Sequence, residues 1–350
     1  IGAASGDPTG TSTSTALGSY YLGTFAKSKG TSWMIGAAYD VTKDITVYIS
    51  RSQSFRPNGN SGAIYVISAL NTRAATLGLD PIAELERIRN EGADTILGNE
   101  TGLNTEFGVK TSLWDSKLVS TLSFFQLDRE GEALEDIQRQ MADPLNYTGP
   151  NLSGTFDPNP NNGGVRWYSN TSKRRVEGAE LEIIWTPVRS YQLVASGSWL
   201  WKAKTLLDSS INPDGTDAAT LTRKYYTYDF RMPGTPEYRL NLFNTYTLNR
   251  GFADGLRVSL GARYSSEMNI NNSQNYDSKN GGLTAGDYVV FDGNLSYPWR
   301  LWGHAITTSL NVTNLFDKEY SEGGGDLTAS VAGYSLSPPR TWMLINTLSF

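Results

Sequence analysis

The chain has 350 residues, with 30 Lys and Arg against 35 Asp and Glu, one His and no Cys. The absence of Cys excludes a disulfide framework and thiolate metal sites, and a net charge of −5 without a strongly basic block argues against a nucleic-acid partner. The sequence contains no run of about 18 apolar residues, so it predicts no transmembrane helix. Its 35 Gly, 19 Tyr, 12 Phe and 9 Trp suit many strands, turns and aromatic belts.

About eleven segments show a period-two alternation of apolar and polar residues, which predicts β-strands with two unlike faces. Most are near or above the roughly 9–11 residues with which a tilted strand crosses a bilayer. In chain order the predicted strands are Thr31–Asp40, Asp44–Ser52, Gly102–Trp114, Lys117–Arg129, Thr171–Thr186, Tyr191–Lys204, Pro236–Leu248, Leu256–Ser266, Asp287–Tyr297, Ala305–Phe316 and Arg340–Phe350.

The segment Leu256–Tyr264 shows the alternation clearly. Leu, Val, Leu, Ala and Tyr form one set, and Arg257 and Arg263 share the other set with Ser and Gly. Two arginines that faced a packed soluble core would carry a severe desolvation cost, whereas a wide, wet lumen would accommodate them. The pattern therefore favours a large barrel with an apolar outside and a polar inside, as in bacterial outer membranes.

Short and long connections alternate along the predicted strands, as periplasmic turns and extracellular loops do in outer-membrane barrels. This order places Phe350 on the periplasmic side, and we expect residues 1–30 to be the remnant of an extracellular loop. No signal peptide follows Ile1, so we expect the sequence to be a fragment. The predicted long connections are Phe55–Thr101, Glu130–Asn170, Thr205–Thr235, Glu267–Gly286 and Asp317–Pro339.

Two local patterns refine this picture. Within the first long connection, Asp80–Arg89 predicts a short helix with Asp80 as its N-cap and Pro81 at its first position. Aromatic residues gather near strand ends, where barrels carry interfacial belts. Those beside short turns are Trp114, Trp185, Tyr191, Trp299 and Trp302, and those near the opposite ends are Trp199, Trp201, Tyr264 and Tyr288.

Five segments in a fixed order carry a resemblance to a known family. They are Val47–Pro57, Asn99–Lys110, Arg175–Glu182, Asn311–Tyr320, and Pro339–Trp342 together with Phe350. The first three segments are similar to strands of TonB-dependent outer-membrane receptors. The last two segments, with Phe350, resemble that family's C-terminal signature. In the general character of its sequence, the chain most resembles the siderophore-receptor branch of this family.

The resemblance implies a barrel of about 22 strands with a plugged lumen. This chain would be the C-terminal half of such a barrel, a partial barrel domain over residues 1–350 of about 11–12 antiparallel strands. The plug and the first barrel strands would be absent from it. The resemblance further implies transport of a large, scarce nutrient, most simply a ferric siderophore, with TonB acting through the absent plug. Outer-membrane lipid and lipopolysaccharide are the other partners that we expect.

The residues predict no enzyme, no cofactor and no metal site. The lone His304 falls at a predicted periplasmic turn, where we interpret it as an interfacial residue. Glu180 and Glu182 share one strand face and could resemble an acid–base pair. We interpret them, with Arg257 and Arg263, as charges that face the lumen.

Candidate ligand contacts are the basic and aromatic residues of the extracellular connections. Arginine and aromatic rings suit anionic, planar chelates such as ferric siderophores, although loops that pack on their own tyrosines or bind lipopolysaccharide have the same composition. The candidates are Arg56, Arg166, Trp167, Tyr168, Arg223, Tyr225, Tyr226, Tyr228, Arg231 and Tyr334.

Two other functions fit the strand pattern. A passive, substrate-selective porin would need only the barrel. A secreted soluble β-protein that binds glycans would expose the polar strand faces to solvent and remain in the aqueous phase without detergent. Fold alone does not decide among these functions.

Overall fold

The computed structural model describes residues 29–57, 74, 78–90, 98–135, 168–206, 231–232, 234–269, 284–324 and 334–349. These residues are dominated by antiparallel strands. The strands are β1 Trp33–Thr42, β2 Ile45–Arg56, β3 Glu100–Leu113, β4 Leu118–Glu135, β5 Tyr168–Val188, β6 Tyr191–Leu206, β7 Tyr238–Thr247, β8 Arg257–Ser265, β9 Met268–Asn269, β10 Thr284–Ala285, β11 Tyr288–Leu301, β12 His304–Thr313, β13 Ser321–Gly324, β14 Tyr334–Leu336 and β15 Thr341–Ser349.

Eleven of these strands form one sheet in which each strand pairs with its neighbours along the chain. Its order is β1-β2-β3-β4-β5-β6-β7-β8-β11-β12-β15, and β9–β10 and β13–β14 form two small separate pairs. All eleven predicted strands are confirmed as members of the large sheet. Within the described residues the sheet does not close on itself, so β1 and β15 are the two edges of this described sheet.

One face of the sheet is apolar over most of its width. Residues that pair directly across neighbouring strands share a face, so the register can be followed as a row. One such row contains Leu181, Gly197, Leu240, Tyr264 and Val289. Large side chains on this face stay uncovered, and Leu344 of β15 is 65% exposed. No protein layer covers this face within the described residues, as a lipid-facing surface requires.

The opposite face is mostly polar. The row adjacent to the apolar one contains Glu182, Ser196, Asn241, Arg263 and Val290. On the same face, the ring of Tyr48 covers Gly108, and its hydroxyl donates to Glu106 Oε1 at 2.5 Å. The predicted division between an apolar and a polar strand face is therefore confirmed.

Several strands continue beyond their predicted ends. β4 runs past Arg129 to Glu135 because charged side chains pair across β4 and β5 in a stretch whose composition predicted a loop. β11 runs through Pro298 to Leu301, so the predicted turn Trp299–Gly303 shrinks to two residues. Beyond Ser296, β11 pairs with β12 alone, and a proline is tolerated where one side of a strand lacks a partner.

The predicted helix is present as α1, Pro81–Asn90. Asp80 caps it, because its Oδ1 accepts hydrogen bonds from the backbone N–H groups of Ile82 at 2.7 Å and Ala83 at 3.1 Å. Leu85 is completely buried on the helix. In the described part of the chain, no helix has the length and apolar character needed to cross a bilayer.

Aromatic contacts mark both ends of the strands. Trp185 and Tyr191 meet edge to face at 6.1 Å beside the β5–β6 turn. At the other end of β6, the rings of Trp199 and Tyr238 stack at 6.2 Å. Tyr288 does not join this outer belt, contrary to expectation. It pairs in register with Ser265 on the polar face, and its ring lies 4.3 Å from that of Tyr320.

The chain leaves β12 through a corner built on Asn314, a residue of the resembled C-terminal signature. Asn314 is buried and has φ +52°. Its Nδ2 donates to the carbonyls of Lys318 at 2.9 Å and Pro338 at 3.2 Å, and its Oδ1 accepts from the Lys318 N–H at 2.8 Å. One side chain therefore joins the two ends of the last long connection.

Candidate ligand-binding mouth

Five charged side chains meet where β2, β3, β4 and β5 border the long connections. These residues, which we call the mouth network, are Arg56, Glu100, Arg129, Glu132 and Arg174. The register brings them together, because Arg56 is directly opposite Glu100 and Arg129 is directly opposite Arg174.

Arg129 is the centre of the mouth network because it contacts both carboxylates. Its Nε donates to Glu100 Oε2 at 3.1 Å and its Nη2 contacts the same oxygen, while its Nη1 lies 2.9 Å from Glu132 Oε1. Arg174 Nε lies 2.5 Å from the other oxygen of Glu132, and Arg56 Nη1 lies 3.9 Å from Glu100 Oε2. The ion pairs thus run continuously across four strands.

A β-bulge at Gly131 brings Glu132 into this network. Gly131 has φ +80°, a conformation that L side chains rarely adopt, and a Cβ there would lie 2.7 Å from the Asn99 carbonyl oxygen. The register of β4 against β5 shifts between Glu130 and Glu132. The extra residue allows Glu132 to lie beside Arg129, three positions earlier, instead of on the opposite face.

Burial separates the two charge types of the mouth network. The Glu100 and Glu132 side chains are 10% and 11% exposed, whereas those of Arg129, Arg174 and Arg56 are 36%, 45% and 73% exposed. Three guanidiniums against two carboxylates leave one net positive charge. The buried acids therefore hold the arginines in place while the accessible groups of the network are cationic donors.

The mouth network lies on the polar face. Arg174 is six residues, three full strand periods, before Glu180, and β5 pairs with β4 without a shift over this stretch. A second charge cluster lies on the other face. In it, Arg175 donates two hydrogen bonds to Asp128, at 2.6 and 2.9 Å, and Lys202 pairs with Glu177 at 3.3 Å.

A third cluster joins the last long connection to the polar face. Arg263 Nε pairs with Asp292 at 3.1 Å, and its Nη1 lies 3.7 Å from Glu322 of β13. The Tyr320 hydroxyl donates to Glu322 at 3.1 Å. Burial and then this hydrogen bond raise the pKa of Tyr320 above its ordinary value, so the phenol stays protonated at neutral pH.

The ligand-contact candidates have different positions in the structure. Arg56 ends β2 and belongs to the mouth network. Arg231 is held by backbone, since its guanidinium donates to the carbonyls of Thr235 at 2.7 Å and of Leu200, and burial lowers its pKa. Tyr168 and Tyr334 begin β5 and β14, but their side chains are outside the described set. Also outside the described residues are Arg166, Trp167, Arg223, Tyr225, Tyr226 and Tyr228.

The four residues predicted to face the lumen are on the polar face. Glu180 pairs with Ser123 and Ser198, and Glu182 pairs with Thr121 and Ser196. Arg257 and Arg263 alternate with Val258 and Leu260 of the apolar face, and each pairs with polar-face residues of β7. Whether they line a lumen stays a prediction, because the described sheet is open.

Sequence reasoning missed four members of the mouth network: Glu100, Arg129, Glu132 and Arg174. Their signal was the clustering of charge in Arg129-Glu-Gly-Glu132 and Lys173-Arg-Arg175, at the ends of two strands that are adjacent in sequence. Read as the two sides of one hairpin, these runs bring Glu130 opposite Lys173 and Glu132 within reach of Arg174.

The described residues contain no group of three or more His, Asp or Glu side chains that could hold a metal ion. His304 is exposed at the start of β12, beside the Trp302–Gly303 turn. The mouth network presents a set of cationic donors on the polar face, and such donors are suited to binding an anion.

The chain is similar in sequence to curated siderophore receptors. It is 26% identical over 322 residues to the catecholate siderophore receptor Fiu of Escherichia coli, covering 91% of this chain and 32% of that protein. It is 23% identical over 319 residues to the ferripyoverdine receptor of Pseudomonas aeruginosa, covering 90% and 30%. The chain thus spans about a third of the length of these relatives.

Solved structures support the fold. The ferric preacinetobactin receptor BauA of Acinetobacter baumannii matches with a TM-score of 0.58 and 16% identity, covering 91% of this chain and 36% of that one. The siderophore receptor PiuA of the same organism matches with a TM-score of 0.57 at the same identity and coverage. The family model described as TonB dependent receptor-like, beta-barrel, matches residues 4–315. The chain belongs to the TonB-dependent receptor-like β-barrel family of the bacterial outer membrane.

Proposed function

We propose that this chain is part of the barrel of a receptor that takes up a ferric siderophore across the outer membrane. Family membership supports the receptor class, and the named relatives are receptors for catecholate siderophores and ferripyoverdine. The chain spans about a third of the length of those proteins.

The mouth network is the observation that carries the proposal. Its accessible groups are the guanidiniums of Arg56, Arg129 and Arg174, on the polar face and beside the long connections. A ferric catecholate complex carries negative charge on oxygens spread over its surface. Planar guanidiniums donate several hydrogen bonds to such oxygens and keep their charge at every physiological pH.

Buried acids beneath the arginines also suit a transporter. Glu100 and Glu132 hold the guanidiniums in fixed positions, which lowers the entropy lost when a ligand binds. They also cancel two of the three positive charges. The one remaining positive charge attracts an anion, and the anion can still dissociate for onward transport. Energy for onward movement would come from TonB acting on a plug in the lumen, as the family resemblance implies.

Uptake of labelled iron by a strain that lacks the gene, with and without the gene restored, tests the proposal. Ferric catecholates, ferric hydroxamates and ferric citrate are supplied separately. We expect restored uptake of at least one ferric chelate, and loss of that uptake when TonB is also deleted. Uptake that persists without TonB would indicate a passive porin, and indifference to every ferric chelate would overturn the siderophore proposal.

A further inference from the structure

Between the mouth network and the short turns, the polar face of the sheet divides into an acidic half and a basic half. On β3, β4 and β5 its charged residues are Glu106, Glu180 and Glu182 against Lys110, and we call the three carboxylates the acidic wall. On β7, β8 and β11 the polar face carries four arginines and one carboxylate, Asp292. These arginines, which we call the basic wall, are Arg239, Arg257, Arg263 and Arg300.

The basic wall extends along the strands from the long connections to the short turns. Arg239 and Arg263 are diagonal neighbours, because Arg263 pairs directly with Asn241, two residues after Arg239 on β7. Arg257 begins β8, six residues or about 20 Å from Arg263. Arg300 lies near the end of β11, beside the next short turn. The arginines therefore stand at three successive levels of the polar face.

Most of the basic wall has no carboxylate partner. Arg263 pairs with Asp292 at 3.1 Å and with Glu322 at 3.7 Å. Within the described residues, the other three arginines form no ion pair and no side-chain hydrogen bond, and all three are exposed. Because the sheet does not neutralise these guanidiniums, they are open to an anion from outside.

Neutral hydroxyl and amide groups lie between the arginine levels. Thr245 Oγ1 and Ser259 Oγ lie 3.1 Å apart, and Asn294 Nδ2 donates to Asn311 Oδ1 at 2.7 Å. Such groups can donate and accept hydrogen bonds and carry no charge that would repel an anion. An anion that passes from one arginine level to the next therefore still meets hydrogen-bonding partners.

We propose that the basic wall guides the anionic ferric chelate from the mouth network to the periplasmic side. The acidic wall lies directly below the mouth network on β5, where Glu180 follows Arg174 by three strand periods, and it repels an anion. Attraction begins at Arg239, two strands from Glu180. The chelate therefore moves sideways across β6 before it descends. This inference rests on the proposed function, because it concerns the same anionic substrate.

Charge substitutions at Arg257 test this passage, because Arg257 lies at the opposite end of the strands from the mouth network. Binding of the ferric chelate to the purified receptor gives the affinity, and TonB-dependent uptake by cells with equal amounts of receptor gives the maximal rate. We expect Arg257→Gln to lower this rate about fivefold, the effect of roughly one unit-charge contact in water, and Arg257→Glu to lower it at least about tenfold. The affinity should stay within about twofold of wild type in both variants, since the charge of the mouth network is unchanged. Arg257→Lys keeps the charge and should keep most of the rate.

Thr121→Glu is the matched control. It changes the net charge of the polar face by the same single unit as Arg257→Gln, but on β4, where Thr121 pairs with Lys110 and Glu182. We expect affinity and uptake rate to stay within about twofold of wild type, because the passage does not use this half of the polar face.

A wild-type uptake rate in Arg257→Glu would overturn the passage, as would an equal loss of rate in the Thr121→Glu control. Equal losses in Arg257→Lys and Arg257→Glu would also overturn it, because they would indicate a structural role without dependence on charge. A loss of affinity that accounts for the loss of rate would assign Arg257 to binding instead. The proposed function survives each of these results. It fails, and the passage with it, only if the wild-type receptor takes up no ferric chelate or does so without TonB.

Discussion

Arg129→Ala is expected to weaken binding of the transported ferric chelate by about 10- to 100-fold, since a hydrogen bond to a charged group contributes roughly 1.5–3 kcal/mol. Arg129 bridges Glu100 and Glu132, and its loss reduces the net charge of the mouth network from one to zero. Two largely buried carboxylates then face an incoming anion. Equilibrium binding to the purified receptor, measured by tryptophan fluorescence quenching, gives the affinity.

The control for this experiment is Arg51→Ala. Arg51 is also on β2 and exposed, but it alternates with the polar-face residues Ser50 and Ser52, and we expect its loss to leave affinity within twofold. Adding Glu132→Gln to Arg129→Ala restores the net charge and should recover part of the lost affinity. Unchanged binding in Arg129→Ala would remove the mouth network from ligand recognition.

Asn314→Ala is expected to destabilise the corner after β12 by about 4–5 kcal/mol, since each of three buried hydrogen bonds contributes roughly 1 kcal/mol and Ala at positive φ adds roughly 1–2 kcal/mol. The substitution leaves the Lys318 N–H and the carbonyls of Lys318 and Pro338 without their Asn partner. Hydrogen exchange at residues 315–320 measures the local loss of stability.

Asn314→Gly separates the two contributions, because glycine accepts φ +52° but makes none of the side-chain hydrogen bonds. We expect it to lose less stability than Asn314→Ala. Thr313→Ala, at an exposed neighbouring position, should leave exchange unchanged. Wild-type protection in Asn314→Ala would show that the corner is held by its backbone alone.

The eleven strands were predictable because one simple signal dominates each of them. Lipid on one side and polar groups on the other impose a period of two. A segment such as Leu256–Tyr264 therefore predicts both a strand and the face of the sheet on which each side chain lies. The N-cap at Asp80 was also predictable, because the residues that indicate it lie within four positions of one another.

The mouth network was not predictable in the same way, because it depends on register between strands. Arg129 and Arg174 are far apart in sequence, and only the pairing of β4 with β5 makes them neighbours. The Gly131 bulge then decides on which face Glu132 lies. Composition alone placed this charged stretch in a loop, since charge and glycine usually indicate turns, while cross-strand ion pairs keep it in the sheet.

The division of the sheet into a lipid face and a water face underlies every proposal made for this chain. Because the chain has no Cys, single cysteines can carry spin labels at residues 239–246 of β7 without competing thiols. Collision with oxygen reports lipid, and collision with a water-soluble nickel chelate reports water. We predict that oxygen accessibility peaks at Leu240, Leu242 and Tyr246 and falls at Arg239, Asn241 and Thr245. Accessibility without a period of two, or with the opposite phase, would contradict the account.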